Sequence, residues 1–102
     1  MSSKRYWKIE GYDSSNKTFE RVLPEGSLSE GEIVVLLQRL TARHLDEDEV
    51  VSSSLRRNAA GYASHLESHF DQGGRPMIRV GDSGPCYVAS IWEGDELSHD
   101  KD

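Results

Sequence analysis

Ala59-Ala60-Gly61-Tyr62-Ala63-Ser64-His65-Leu66-Glu67-Ser68-His69-Phe70 is the stretch whose reading decides the fold of this chain of 102 residues. Tyr62, Leu66 and Phe70 fall on one side of an alternating pattern and His65, Glu67 and His69 on the other. A period of two predicts a strand from Tyr62 to Phe70. The competing reading continues the preceding helix through Ala59 to Leu66, and it changes function as well as fold. On a helix His65 and His69 come within chelating distance, whereas on a strand they stand about 13 Å apart.

On the C-terminal side of this stretch, Gln72-Gly73-Gly74-Arg75 predicts a hairpin turn and Met77 to Val80 a short strand. Gly81-Asp82-Ser83-Gly84 predicts another turn and Cys86 to Trp92 a last strand, which together make a three-stranded meander. The run after Trp92 is too polar to bury and is expected to be mostly a solvated tail. The domain is therefore drawn over residues 1–97, with a flexible acidic tail at 98–102.

On the N-terminal side, Asp46 is placed to cap a second helix, with Glu47, Asp48 and Glu49 at the positive end of its dipole and Arg56 and Arg57 at the other. Val50, Val51 and Leu55 give that helix a narrow stripe expected to be buried. Before it, Ser29 and Glu32 form a capping box, and Ile33, Leu36, Leu37 and Leu40 repeat at helical spacing, which predicts a first helix from Glu30 to His44. Further back, Lys4 to Tyr12 and Lys17 to Leu23 alternate around the turn residues Asp13-Ser14-Ser15-Asn16, which predicts an antiparallel hairpin. The order is β-β-α-α-β-β-β. Helices grouped between two sets of strands predict an α+β fold, an antiparallel sheet of about five strands with two helices packed on one face.

The length suits one domain, and the hydrophobic content of 35% suits an ordinary core without metal or disulfide staples. No apolar run follows the basic residues near Met1, so neither a secretory signal nor a membrane span is expected. The lone Cys86 agrees with a reducing compartment, and a cytoplasmic location is expected. The net charge is −6, and residues 46–102 hold twelve Asp/Glu against five Lys/Arg. Direct nucleic-acid binding is not expected of such a balance, because phosphate contacts need clustered positive charge.

Arg39 and Arg43 lie four apart on the first helix and share a face able to grip a carboxylate or phosphate. The run Asp46, Glu47, Asp48 and Glu49 is a candidate surface for a basic partner, although capping already accounts for most of it. His65, Glu67 and His69 are ligand types and form a candidate metal set, weakened by their spacing along a strand. Gly81-Asp82-Ser83-Gly84-Pro85 is similar to the segment around the nucleophile of trypsin-like serine proteases, short of one glycine. Without a histidine segment or the length for that scaffold it reads as a turn. Cys86, between strand residues, reads as a small buried hydrophobe, and Trp7 and Trp92 as core aromatics.

No catalytic residue is assigned, and no cofactor is expected. The residues favour a small non-enzymatic protein-interaction module that binds a protein partner or itself, with a homodimer through a sheet edge as one form. One alternative is a small metal-dependent protein or hydrolytic enzyme using His65, Glu67 and His69. Another is an acidic inhibitor occupying the nucleic-acid site of a basic partner.

Overall fold

The computed structural model describes residues 4–71, 74–81 and 85–100. Strands β1 (Arg5–Asp13) and β2 (Asn16–Pro24) form the first hairpin. Helices α1 (Glu30–Ala42) and α2 (Glu47–Ser54) follow, then β3 (Ser68–Asp71), β4 (Met77–Gly81), β5 (Pro85–Glu93) and a last helix, α3 (Gly94–Asp100). The five strands make one antiparallel sheet in the order β2-β1-β5-β4-β3. The first and last strands are thus neighbours, paired from Arg5 with Glu93 through to Asp13 with Pro85. The turn residues Asp82 to Gly84, and Gln72 and Gly73, lie outside the described residues.

Register sorts the strand residues onto two faces. Trp7, Ile9, Ile78, Val80, Tyr87 and Ala89 share one face and are buried under Ile33 and Leu37 of α1. Removing an aliphatic side chain of this kind from water is worth about 1.5–3 kcal/mol, so this one helix is what closes the core. The indole N–H of Trp7 donates to the Leu28 carbonyl at 3.0 Å, which ties the entry of α1 to β1. Gly11 stands opposite Tyr87, and the Tyr87 ring crosses the space a Cβ would fill, 2.6 Å from Cε2. The Tyr87 hydroxyl reaches His44 Nε2 at 2.8 Å. That contact holds His44 beyond the end of α1, which stops at Ala42 rather than at His44.

The stretch quoted at the outset is strand only from Ser68 onward. Residues 55–67 form turns, not the long strand expected from Tyr62 and not a continuation of α2. Tyr62 donates to the Glu67 carboxylate at 2.6 Å, and Arg57 lies 3.3 Å from the same oxygen. Residues five apart on a strand stand about 16 Å apart, so closing this bond requires the chain to fold back. Gly61, with φ of +87°, supplies the left-handed position, and Gln38 of α1 donates to the Leu66 carbonyl at 2.9 Å.

Of the two helices expected over the sheet, α1 supplies the packing. α2 has the expected Asp46 cap, completed into a capping box by Glu49, but no buried residue. Val51 is 62% exposed and Leu55 39%, so the expected buried stripe is not formed. The helix ends at Ser54, and Arg57 turns to Glu67 instead of closing the helix end.

The second face of the sheet carries Lys8, only 3% exposed, with its ammonium 4.4 Å from the centre of the Trp92 ring. The Arg75 guanidinium lies 3.8 Å from that ring centre and grips Glu96 of α3 through two bonds of 2.8 and 2.9 Å. Trp92 is therefore half-buried on this face rather than part of the core that holds Trp7. The main-chain N–H of Glu93 also donates to Glu96. Arg75 first, and then that N–H, lower the Glu96 carboxyl to about 2. The Arg75–Glu96 pair thus anchors Gly94–Asp100, helical where a mostly solvated tail was expected, and Leu97 is half-buried beside Tyr6 and Val22. Lys101 and Asp102 lie outside the described residues.

Candidate functional site: the outer groove of helix α1

The capping box that starts α1 also builds its outer surface. Ser29 Oγ accepts from the Glu32 N–H at 3.2 Å, while Glu32 Oε1 accepts from the Ser29 N–H at 2.9 Å. Those bonds, the main-chain one first, hold the Glu32 carboxyl below its ordinary range. An ionised carboxylate is thereby fixed in the first turn.

The next five residues, Ile33-Val34-Val35-Leu36-Leu37, are all apolar. At about 100° per residue such a run covers the whole circumference of a helix, more than one sheet can bury. Ile33 and Leu37 are fully buried against the strands, whereas Val35 is 43% exposed. Val35, Leu36 and Leu28 form the apolar floor of an open groove of about 510 Å³, bordered by Ser29, Gly31, Glu32 and Arg39.

Glu32 and Arg39 stand seven residues apart, two helical turns or about 10 Å, one toward each end of this floor. Arg39 makes no ion pair or hydrogen bond with its side chain among the described residues. A Cβ on Gly31 would meet nothing within 4 Å, so no neighbour among the described residues accounts for a glycine there. The groove can therefore accept an apolar ridge and offer it one negative and one positive partner.

Arg43, the other arginine expected on this face, is the exposed C-terminal cap of α1, one turn beyond Arg39. Asp46 and Glu49 cap α2 through bonds of 2.8 and 2.9 Å, with Glu47 and Asp48 in its first turn. His65 Nε2 lies 3.8 Å from Glu49 Oε2, while Glu67 is held by Tyr62 and Arg57, and His69 sits on β3 opposite Arg79. His65, Glu67 and His69 are thus drawn to different neighbours. Among the described residues no three His, Cys, Asp or Glu side chains converge on a common point.

Cys86 is half-buried on β5, and burial pushes its thiol up despite the opposing influence of Arg79. A raised thiol is a poor nucleophile. A second hollow, of about 430 Å³, lies between Arg5, Arg75, Ile91 and Glu96, but its arginines are already paired, Arg5 with Glu25 at 3.6 Å and Arg75 with Glu96. Nothing in the sequence marked Leu28, Glu32, Val35 and Leu36 as lining one groove, in which Leu28 and Leu36 are half-buried against the core and Val35 is exposed. The unbroken apolar run signalled only an excess over what one packed face needs.

In comparisons with protein-family models, curated proteins and solved structures, nothing matches this chain. None of the described helices is long and apolar enough to cross a membrane.

Proposed function

We propose that this chain is a protein-interaction module that docks an amphipathic helix along the outer groove of α1. The observation that carries this reading is Val35, an aliphatic side chain left open in the middle of a concave apolar floor with charged residues at both ends. Helix-in-groove recognition uses such a floor for affinity and flanking charges for direction and register. Glu32 attracts a cation on the incoming helix and Arg39 an anion, so the partner is a helix with an apolar ridge, one acidic and one basic residue. The cytoplasm suits such a role, since it keeps Cys86 reduced.

The test is affinity capture from a lysate of the source cell, comparing the natural chain with Val35→Glu. A charge in the middle of the floor should abolish the capture of specific partners while the circular dichroism spectrum and thermal midpoint stay unchanged. Recovery of the same proteins by both chains would refute docking at this groove.

A further inference from the structure

We infer that the helix this groove accepts is α1 of a second copy, packed antiparallel about a two-fold axis that passes between Val35 and Leu36. The inference rests on the docking role proposed above and names its occupant.

Complementarity of charge is the reason. A two-fold axis between Val35 and Leu36 places each Glu32 opposite Arg39 of the other copy, because the two residues are equally distant from that axis in sequence. One surface then supplies both members of two ion pairs, as an isologous interface requires. Glu32 uses Oε1 for the Ser29 N–H, and Oε2 has capacity for a second donor. Arg39 has no side-chain partner among the described residues and brings a forked donor suited to a carboxylate.

Val35 of each copy faces Leu36 of the other at the centre. Glu32, Val35 and Arg39 follow at intervals of three and four residues, the seam spacing of two helices crossing at a shallow angle. Gly31, with open space where its Cβ would be, permits close approach at the edge of the seam.

The sheet also presents two edges able to pair with a second copy, β3, only four residues long although it carries the exposed Phe70, and the longer β2. Antiparallel pairing centred on Glu20 would set two Glu20 side chains against each other. Lys17, Glu20 and Arg21 along this strand, with Pro24 at its end, are features that discourage edge pairing. A contact made by one pair of helices falls at the small end of specific interfaces, below about 1,200 Å², so the dimer should be reversible and concentration-dependent.

Sedimentation velocity over a wide concentration series tests this. The natural chain should move from monomer toward dimer. Arg39→Glu, which sets like charges opposite each other and leaves the capping box intact, should weaken dimerisation roughly tenfold or more. Glu32→Arg should do the same. An equimolar mixture of Arg39→Glu and Glu32→Arg should restore dimers, because a chain acidic at both positions then meets one basic at both. That recovery also shows that each variant is folded.

In a Cys86→Ser background, Val35→Cys should form a disulfide-linked dimer on mild oxidation, and Arg21→Cys on β2 should not. A monomer at every concentration, undiminished dimerisation of Arg39→Glu, or a mixture that fails to recover would each overturn the self-pairing. If the chain is monomeric while Val35→Glu still abolishes capture from lysate, self-pairing falls and docking of another protein stands. If Val35→Glu changes neither capture nor assembly, both fall.

Discussion

Gly11→Ala would test the central register of the sheet. A Cβ at this position would stand 2.6 Å from Tyr87 Cε2 and 3.1 Å from Phe19 Cβ, well inside van der Waals contact. The Tyr87 ring would have to tilt, and it has little room to do so. It is 5% exposed, lies edge-on to Phe19 at 6.3 Å and shares a 2.8 Å hydrogen bond with His44.

Overpacking of this kind costs about 1–3 kcal/mol, and losing the His44 bond adds about 1 kcal/mol. Alanine in place of glycine within a strand returns about 0.5–1 kcal/mol. The net loss is therefore about 2 kcal/mol, which at a urea slope of about 1–1.5 kcal/mol per molar lowers the unfolding midpoint by about 1.5–2 M. In a Tyr87→Val background the obstructing ring is gone, and the same substitution should be neutral or stabilise by about 0.5 kcal/mol. A midpoint unchanged by Gly11→Ala in the natural chain would refute the packing of Tyr87 across Gly11, and with it the pairing of β1 with β5.

Two other perturbations separate the parts of the molecule. Glu96 has a folded-state value of about 2, below its unfolded value, so its contribution is present above the unfolded value and is lost as pH falls toward 2. The indole resonance of Trp92, stacked against Arg75, should therefore hold its position down to about pH 3 and shift as pH falls further toward 2, and Glu96→Gln should show the shifted position already at neutral pH. A Trp92 resonance insensitive to both changes would rule out the Arg75–Glu96 clamp. Ser29→Ala and Asp46→Ala remove equivalent caps, each worth about 0.5–2 kcal/mol. Only the first should lower the global unfolding midpoint, because α1 closes the core, while the second should speed hydrogen exchange within Glu47–Ser54 alone. Equal effects on the midpoint would mean that α2 packs more tightly than its exposure indicates.

Local chemistry was legible wherever it acts over a few residues. The Ser29–Glu32 and Asp46–Glu49 boxes are bonds between residues three apart, so their residue types alone give the start of each helix. The strands from Arg5 to Pro24 and from Met77 to Glu93 alternate because one face of each packs and the other meets polar surroundings. Residues 55–67 misled because an alternating pattern also arises by chance in a turn-rich loop. What shapes that loop is the bond from Tyr62 to Glu67 and the reach of Gln38 from another element. The helix at Gly94–Asp100 was illegible for a related reason, since its anchor is Arg75, twenty-one residues from Glu96 in sequence.

The sequence by itself determined the α+β class, the order of the strands with α1 and α2, and the caps of those two helices, because periodicity and capping depend on neighbours along the chain. Only the tertiary structure decided which apolar residues of Ile33-Val34-Val35-Leu36-Leu37 are covered. Ile33 and Leu37 meet β4 and β5, and Val35 meets solvent between Glu32 and Arg39. A helix in isolation presents that run on every side, and a sheet can bury only one of them. The groove exists because the sheet chose its face.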